Sequence, residues 1–424
     1  MSDQTLFLLE KSIIVLAVFG GVMLVVALTT LVERRVAGFI QDRYGPNRVG
    51  PLGLFQPIAD GLKNFLKEET MPAAAAQPYF WLGPVISLAP ALVTFAVVPF
   101  AAPLPIGNHV VEMIVADVPI GILYILALSS LGVYGVVMGG WASNNKYSFL
   151  GGLRASAQMV SYEVALGLAV VVVLMMAGNV TLTEMVWQQQ QLNFWFIFPI
   201  SLAFILFVIS AFAETNRTPF DMPEAESELV AGFHTEYSGM KYAMYPMGEY
   251  AHMLTSSALM ATLFFGGWDI PFWTGDDAFL HQGEWIRGFT EAGAPIAAEL
   301  AWWKTFLTFG VFAAKTYFFV IVYIWVRWTI PRFRYDQIMQ LGWKVLLPTA
   351  LAYVMVVAAT ILALDQLQVP YGFTFGLVMT VVSAICTGFF LWVIDRGRNL
   401  EGAAAEAHDK FAAERKALPA PSGD

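Results

Sequence analysis

Long apolar runs, separated by short polar segments, dominate the sequence. A helix that crosses a membrane needs about 20 consecutive, mostly apolar residues. Nine such runs occur, and they cover residues 12–32, 79–101, 119–141, 157–178, 194–213, 243–266, 303–328, 345–364 and 372–394. The pattern predicts an all-α polytopic membrane protein with about nine transmembrane helices. These helices form a single transmembrane domain, residues 1–394, and residues 395–424 form a cytoplasmic tail that we expect to be partly disordered.

Nearly all of the 23 Lys and Arg residues lie in the tail or in alternate connections of this predicted topology. Connections rich in Lys and Arg mark the cytoplasmic side of a membrane protein. We therefore expect the N-terminus outside and the C-terminus inside. In this orientation the connections 33–78 and 214–242 face the cytoplasm, and 267–302 is an outer loop.

The first cytoplasmic loop contains an amphipathic segment that begins near Pro57, a residue suited to the first turn of a helix. One side of the predicted helix is apolar and the other is polar. The apolar side carries Phe55, Ile58, Leu62, Phe65 and Leu66, and the polar side carries Asp60, Lys63, Asn64 and Lys67. We predict a short helix that lies in the membrane interface. It either anchors the loop or walls an opening that admits lipid.

The densest group of acidic residues lies between the fifth and sixth apolar runs. Its carboxylates are Glu214, Asp221, Glu224, Glu226, Glu228, Glu236 and Glu249, and its cations are Arg217 and Lys241. Pro219 and Pro223 exclude a regular helix between them, so the segment is expected to fold back irregularly. A solvated loop is the simpler interpretation, but the group reaches into the apolar runs on both sides. Carboxylates this close cannot all ionise freely, which predicts coupled proton binding.

Ionisable side chains inside a span are costly and usually face a cavity or a partner. Glu163 is expected about 9 Å into its span, at 1.5 Å per residue, and Glu249 at a similar depth. If their helices are neighbours, Glu163, Glu214 and Glu249 lie at the same depth near the cytoplasmic face. Lys315 is expected about 18 Å into the seventh span. A buried lysine there needs a carboxylate partner or must lose its proton.

The composition narrows the possible functions. Hydrophobic residues make up 58% of the chain, and the net charge of −9 argues against nucleic acid as a partner. Cys386 is the only cysteine, so this chain alone cannot hold a cysteine-ligated iron–sulfur cluster or zinc ion. The sequence has no glycine-rich dinucleotide fingerprint and no phosphate-binding loop. We infer that the chain walls a site and moves protons, while electrons come from another subunit.

Four segments, in order along the chain, resemble the H-type subunits of NADH:quinone oxidoreductase (respiratory complex I), the family of membrane subunits that form the quinone chamber. The segments are ERRVAGFIQDRYGPNRVGPLGLFQPIADGLK, SYEVALG, AETNRTPFDMPEAESELVAGFHTEYSGMKYAMYPMGEY and IPRFRYDQIMQLGWKVLLP. The resemblance runs from about Glu33 to Pro348. Ala225 departs from the family pattern PEGESELV, where many relatives carry glycine; this departure concerns the backbone and leaves the acids in place.

The resemblance implies roles for particular residues. The carboxylates that match those of the proton relay are Glu163, Glu214, Glu224, Glu226, Glu228, Glu236 and Glu249. The residues that match the quinone chamber and its entry are Arg34, Arg43, Arg48, Asp60, Phe220 and Asp221. We add Lys315 to the proton-handling group because it lies within a span. No metal-ligating residues are expected.

The resemblance also implies the reaction and its partners. Ubiquinone or menaquinone would be the substrate, with FMN and iron–sulfur clusters only on partner subunits. Peripheral-arm subunits would dock at the cytoplasmic face, and antiporter-like and small membrane subunits would lie beside the chain in the bacterial cytoplasmic (inner) membrane. Quinone reduction would then be coupled to proton pumping through a chain of carboxylates.

Three other functions fit parts of the pattern. The homologous membrane anchor of an energy-conserving hydrogenase or a formate-oxidising complex would use no quinone, but the complete first-loop motif favours the quinone enzyme. A solitary proton-coupled transporter would bind its substrate and protons at Glu163, Glu249 and Lys315, but we find no internal repeat of the kind common in such folds. A scaffold that moves no protons would not need acids inside its spans.

Overall fold

The apolar runs form helices because, in a membrane core, each backbone polar group must find its partner within its own segment. The computed structural model describes residues 3–106, 109–192, 194–222, 232–271, 273, 275–281, 284–289 and 295–394. The helices in this part are α1 (Asp3–Ile40), α2 (Gln56–Leu66), α3 (Gln77–Val93), α4 (Gly121–Ala142), α5 (Lys146–Ala177), α6 (Leu182–Leu192), α7 (Ser201–Glu214), α8 (Gly239–Phe264), α9 (Trp302–Thr329), α10 (Tyr335–Gln340), α11 (Leu347–Gln366) and α12 (Phe373–Ile394). A π-helical turn, Leu341–Leu346, joins α10 to α11.

Seven helical segments of the described part are long and apolar enough to cross a membrane, which confirms a polytopic membrane protein. They are α1, α3 with the turn that follows it, α4, α5, α9, α10 continued into α11, and α12. The other two predicted spans correspond to α7, which has only 14 residues, and to α8, which is long but interrupted by polar residues. A count of nine spans and the orientation of the termini therefore remain predictions.

Several helix boundaries differ from those predicted. Helix α1 continues to Ile40, and α5 begins at Lys146 instead of residue 157, because the flanking residues continue the helix beyond the apolar run. Helix α7 begins at Ser201 instead of residue 194. There the apolar run first makes a turn in which the backbone N–H of Phe196 donates to the Gln189 side chain and that of Ile197 donates to the carbonyl of Phe264.

The predicted amphipathic helix in the first loop is present as α2. Its apolar side chains are exposed in the described chain; Ile58 is 68% and Phe65 is 70% exposed. An apolar face of this kind needs a lipid or protein partner. Its position in the membrane interface remains a prediction.

The prediction of an entirely helical chain is wrong in two connections. A hairpin forms from β1 (Leu104–Ile106) and β2 (His109–Val111), and an antiparallel sheet in the order β3 (Phe279–His281), β4 (Glu284–Phe289), β5 (Pro295–Ala297) forms between α8 and α9. These strands are too short to show a periodic pattern in the sequence. Phe279 stacks on Trp187 of α6, with ring centroids 5.1 Å apart, and this contact holds the sheet against the helices.

Glycines allow the central helices to approach closely, as small residues do in membrane proteins. A Cβ atom at Gly135 of α4 would lie 2.6 Å from the backbone nitrogen of Ser87 in α3. A Cβ atom at Gly139 would lie 2.1 Å from the hydroxyl oxygen of Tyr245 in α8. Helix α5 packs against α4, α7 and α11, while α8 packs against α3 and α9. The helices that carry the candidate acids thus lie in the interior of the bundle.

We predict that Gly135→Ala destabilises the protein whereas Gly167→Ala does not. The added methyl group at Gly135 meets backbone atoms, and overpacking of this kind costs about 1–3 kcal/mol. A Cβ atom added at Gly167, in α5, would have no neighbour within 4 Å among the described residues, so Gly167 is the matched control. Thermal unfolding of the purified protein in detergent measures the difference, and equal midpoints for the two variants would contradict the packing described here.

Candidate functional site

The ends of α1, α7 and α9 meet the middle of α8 around one buried carboxylate, Glu33, near the end of α1. Glu33 is 4% exposed. Nη1 of Arg217, which follows α7, lies 3.3 Å from each Glu33 carboxylate oxygen, and Arg327 at the end of α9 donates to the same carboxylate. The hydroxyl of Tyr250 in α8 donates to it at 2.7 Å. We call Glu33, Arg217, Arg327 and Tyr250 the Glu33 cluster.

Arg217 connects the Glu33 cluster to a second acid. Its Nε atom lies 3.9 Å from a carboxylate oxygen of Glu249, and its guanidinium stacks over the Tyr250 ring at 4.1 Å. Its Nε and Nη2 atoms have no hydrogen-bond partner within the described residues. A buried guanidinium with unused donors provides positions for a water molecule or an anionic group.

A small cavity of about 30 Å³ lies next to this cluster. It is large enough for a water molecule. Glu214, Glu249 and His252 line it, together with Ser87 and Tyr245. Two of the predicted proton-relay acids, on α7 and α8, therefore line one small cavity.

Glu163 lies close to Glu214, but it is deeper in its helix than the sequence predicts. Because α5 begins at Lys146, Glu163 lies near the middle of a 32-residue helix instead of near its start. Its half-buried carboxylate interacts electrostatically with that of Glu214, which also faces the Ser129 hydroxyl. No ion pair to Glu163 or Glu214 occurs within the described residues. Two neighbouring carboxylates without a cation are costly to ionise together.

The acidic segment begins with a turn that α5 fixes in place. The Gln158 amide donates to the carbonyls of Ala213 at 2.9 Å and Phe220 at 2.8 Å. The Phe220 ring packs against Tyr162 and Phe333, and Asp221 forms an ion pair with Arg332 at 3.0 Å. Phe220 and Asp221, both predicted to lie at the quinone chamber, are thus buried against protein in the described chain.

The remaining acids of the segment lie apart from the cavity or outside the described residues. Glu224, Glu226 and Glu228 fall in the undescribed range 223–231. Glu236 accepts a hydrogen bond of 2.6 Å from Asn145, the residue that caps α5. Lys241, one of the two cations of the segment, pairs with Glu69 of the first loop at 2.8 Å.

The predicted quinone-entry residues of the first loop lie at an exposed rim. Arg34 of α1 and Asp60 of α2 form an ion pair at 2.6 Å that connects the two helices. Arg43 donates to Gln41 at 2.7 Å, and Arg48 is exposed. This rim and the Glu33 cluster share helix α1, whose final turns carry both Glu33 and Arg34.

Lys315 lies far from the glutamates and hydrogen-bonds to backbone carbonyls. Its ammonium group donates to the carbonyls of Phe265 at 2.7 Å, Gly267 at 3.0 Å and Asp269 at 2.5 Å. The expected alternatives were a carboxylate partner or a lost proton. The direct hydrogen bonds go to carbonyls after the C-terminus of α8, as helix ends favour cations, while Asp269 and Asp276 interact with the ammonium group electrostatically. Lys315 is about 18 Å from Arg327 along α9, at 1.5 Å per residue.

None of the four members of the Glu33 cluster was predicted as a site residue: Glu33, Arg217, Arg327 and Tyr250. Arg217 was noted only as a cation of the acidic segment. Glu33 directly follows the first apolar run, so it was assigned to a loop, whereas α1 continues past it. Arg327 counted only as a cytoplasmic cation. The sequence offered one signal for Glu33 and Arg327, which is a charged residue at the boundary of an apolar run. Their role can be recognised only from their contact in the folded chain.

The comparisons with known proteins agree with one another. A family model described as NADH dehydrogenase matches residues 13–358. The chain is 46% identical over 356 residues to an NADH-quinone oxidoreductase H subunit of Cytophaga hutchinsonii, which covers 84% of this chain and 98% of the relative. It is 47% identical over 353 residues to an NADH-quinone oxidoreductase H subunit of Geobacter sulfurreducens, covering 81% of this chain and 92% of the relative. These names favour the quinone enzyme over a hydrogenase anchor, a solitary transporter or a scaffold.

We predict that Glu33→Gln destabilises the protein far more than Asp60→Asn. Removing one partner of a buried ion pair leaves uncompensated charge and costs about 3–5 kcal/mol. The exposed Arg34–Asp60 pair contributes at most about 1 kcal/mol, so Asp60→Asn is the matched control. Thermal unfolding in detergent measures both, and a Glu33→Gln midpoint equal to that of Asp60→Asn would show that the cluster is not a structural tie.

Proposed function

Because the chain belongs to the NADH dehydrogenase family and is an H-type membrane subunit of an NADH-quinone oxidoreductase, we propose that it walls the quinone site and passes protons through the carboxylates beside the Glu33 cluster. Quinone is the substrate of the complex. The observation that carries the proposal is the shared enclosure of Glu214 and Glu249 next to the buried Glu33–Arg217 ion pair.

The redox cofactors are assigned to partner subunits. Cys386 is the only cysteine of the chain, and iron–sulfur clusters need several thiolates. FMN and the clusters therefore belong to the peripheral-arm subunits, which would dock where the first loop and the acidic segment meet. Thr70 and Ser238 hydrogen-bond each other there, with their hydroxyl oxygens 2.9 Å apart, so the two loops form one surface.

In this proposal the chain stabilises the negative charge that develops on the quinone and does not itself transfer electrons. Reduction of a quinone to a quinol takes up two electrons and two protons, so negative charge develops at the site until protons arrive. A positive guanidinium nearby favours this negative charge. Arg217 is placed for that role because it is buried and two of its nitrogens lack hydrogen-bond partners in the described chain.

Proton movement would follow from the same geometry. Arg217 interacts with both Glu33 and Glu249. Negative charge that develops near Glu33 would attract the Arg217 guanidinium more strongly. Glu249 would then be stabilised less by Arg217, and the free energy of ionising Glu249 would rise. Glu249 shares the water-sized cavity with Glu214, and Glu214 interacts with Glu163. Coupled sites of this kind titrate together. The three acids thus connect the quinone end of the chain to the interior of the bundle.

The amphipathic helix α2 fits the entry side of this site. Its exposed apolar side chains and the Arg34–Asp60 pair border the end of α1. A hydrophobic quinone leaving the bilayer would pass this rim first. In the proposed orientation the rim faces the cytoplasmic side of a bacterial inner membrane, because the connections on that side carry most of the Lys and Arg residues.

We predict that Glu214→Gln lowers NADH-driven proton pumping while the complex still assembles. A positioned proton carrier contributes about 10²–10⁴-fold, so we expect a loss of about 10²-fold. Pumping by the complex reconstituted in vesicles, measured with a pH-sensitive dye, is the readout. Glu299→Gln, at an exposed position before α9, should pump like the wild type.

Subunit composition after detergent extraction separates a functional loss from failed assembly. Glu214→Asp, which keeps a carboxyl group, should recover part of the pumping. Full pumping by an assembled Glu214→Gln complex would contradict the proposed path.

A further inference from the structure

The connection after α8 gathers three aspartates at the opposite end of the molecule from the Glu33 cluster. They are Asp269, Asp276 and Asp277, and one carboxylate oxygen from each lies within 4.8 Å of the others. Asp269 and Asp276 are buried, with Asp276 only 2% exposed. No role was assigned to these residues by the sequence analysis, which predicted no metal site.

The local backbone holds the aspartates in place. Gly266 and Gly267 have φ angles of 72° and 58°, which glycine adopts without strain. A Cβ atom at Gly266 would lie 3.0 Å from the Trp195 ring. This turn puts Asp269 beside Trp195, and the backbone N–H of Ile270 donates to Oδ2 of Asp276 at 3.0 Å. The cluster is therefore built by the fold and is not a mobile acidic loop.

Two buried polar side chains at the cluster lack hydrogen-bond partners within the described residues. Oδ1 of Asp276 is one of these groups. The other is the amide of Gln190 in α6, a residue that is 8% exposed; neither of its polar atoms reaches a partner at hydrogen-bond distance, although the amide faces Asp269. Buried polar atoms usually have partners. The free Oδ1 atom of Asp276 and the Gln190 amide beside Asp269 leave lone pairs that a cation can use.

The charges at this site do not balance without a further cation. Lys315 supplies one positive charge, but its ammonium group is held by the three backbone carbonyls. Arg287 adds a second positive charge near Asp277. The three ionised carboxylates still keep a net negative charge, which a bound cation would offset.

A cavity of about 300 Å³ gives access to the cluster. Asp269 and Asp277 line it, together with Gln190 and the rings of Trp195 and Trp273. A hydrated ion can enter this space and keep some of its water ligands.

We propose that Asp269, Asp276, Asp277 and the Gln190 carbonyl oxygen bind a hard divalent cation of the Ca²⁺ type. Carboxylate and amide oxygens are the ligands of such ions, and Ca²⁺ accepts the irregular geometry of a loop better than Mg²⁺ does. The bound ion would tie the α8–β3 connection to α6, while Lys315 ties the same connection to α9. Its function is structural, because it lies at the end of the molecule away from the quinone-side acids.

The test is Ca²⁺ binding by the purified, chelator-treated complex. Binding is measured by equilibrium dialysis and by the luminescence of Tb³⁺, which nearby tryptophans sensitise. Other subunits of the complex contribute their own sites, so the result is the difference between variants. Wild type should bind one more ion per complex than Asp276→Asn or Asp277→Asn, with a dissociation constant between about 10⁻⁶ and 10⁻³ M. Asp117→Asn is the control; Asp117 is an exposed carboxylate that accepts from Thr183 in a different cavity.

Thermal unfolding supplies a second readout. Ca²⁺ should raise the midpoint of the wild type and of Asp117→Asn but not that of the two cluster variants, because only the folded site binds it. Protons compete with a metal ion for carboxylate oxygens, so the Ca²⁺ effect should be larger at about pH 8 than at about pH 6.

Three results would overturn the proposal. Equal numbers of bound ions in the wild type and both cluster variants would show that the aspartates hold no ion. A stability change with pH but none with Ca²⁺ would show that they bind protons only. Tb³⁺ luminescence unchanged by the substitutions would place the ion elsewhere. If Asp276→Asn fails to assemble, Asp277→Asn at the cavity wall gives the same comparison.

Discussion

A buried carboxylate held by two guanidinium groups determines how this bundle is assembled. Glu33 costs free energy to bury unless Arg217 and Arg327 both reach it. Because these residues lie at the ends of α1, α7 and α9, and Tyr250 comes from α8, the four helices must meet at one level. Glu249 and Glu214 are then enclosed next to the same charges. The fold and the candidate site thus depend on one interaction.

The buried ionisable side chains at the two ends of the molecule are paired in different ways. At the Glu33 end, Glu163 and Glu214 form no ion pair within the described residues, while Arg217 has nitrogen donors to spare. Under the proposed function, this arrangement would keep the protonation of these acids responsive to quinone reduction. At the other end, Lys315 is fully bonded to three carbonyls and the surplus charge lies on fixed aspartates. We infer that the first end changes its protonation during turnover and that the second end stabilises the connection between α8 and α9.

The membrane made much of the fold predictable, because long apolar runs have few alternatives to helices. Each predicted span corresponds to a helix in the described residues, and α2 lies where its amphipathic pattern places it. Helix ends were less predictable: Glu33 lies beyond the apolar run and Glu163 lies deep in α5, since polar residues continue both helices. The acids of α5, α7 and α8 were recognised from their residue types. Their countercharge, Glu33 with Arg327, was not, because it joins residues 294 positions apart in sequence.

Redox-induced infrared difference spectroscopy of the purified complex tests the central claim most directly, since it detects protonated carboxyl groups in their own environment. Reduction of the bound quinone should produce a change in the carbonyl stretch of protonated carboxylic acids. This change should be reduced or shifted in Glu214→Gln and should persist in Glu299→Gln. A spectrum without a carboxylic-acid signal, or one identical in the wild type and Glu214→Gln, would show that these acids do not respond to quinone reduction.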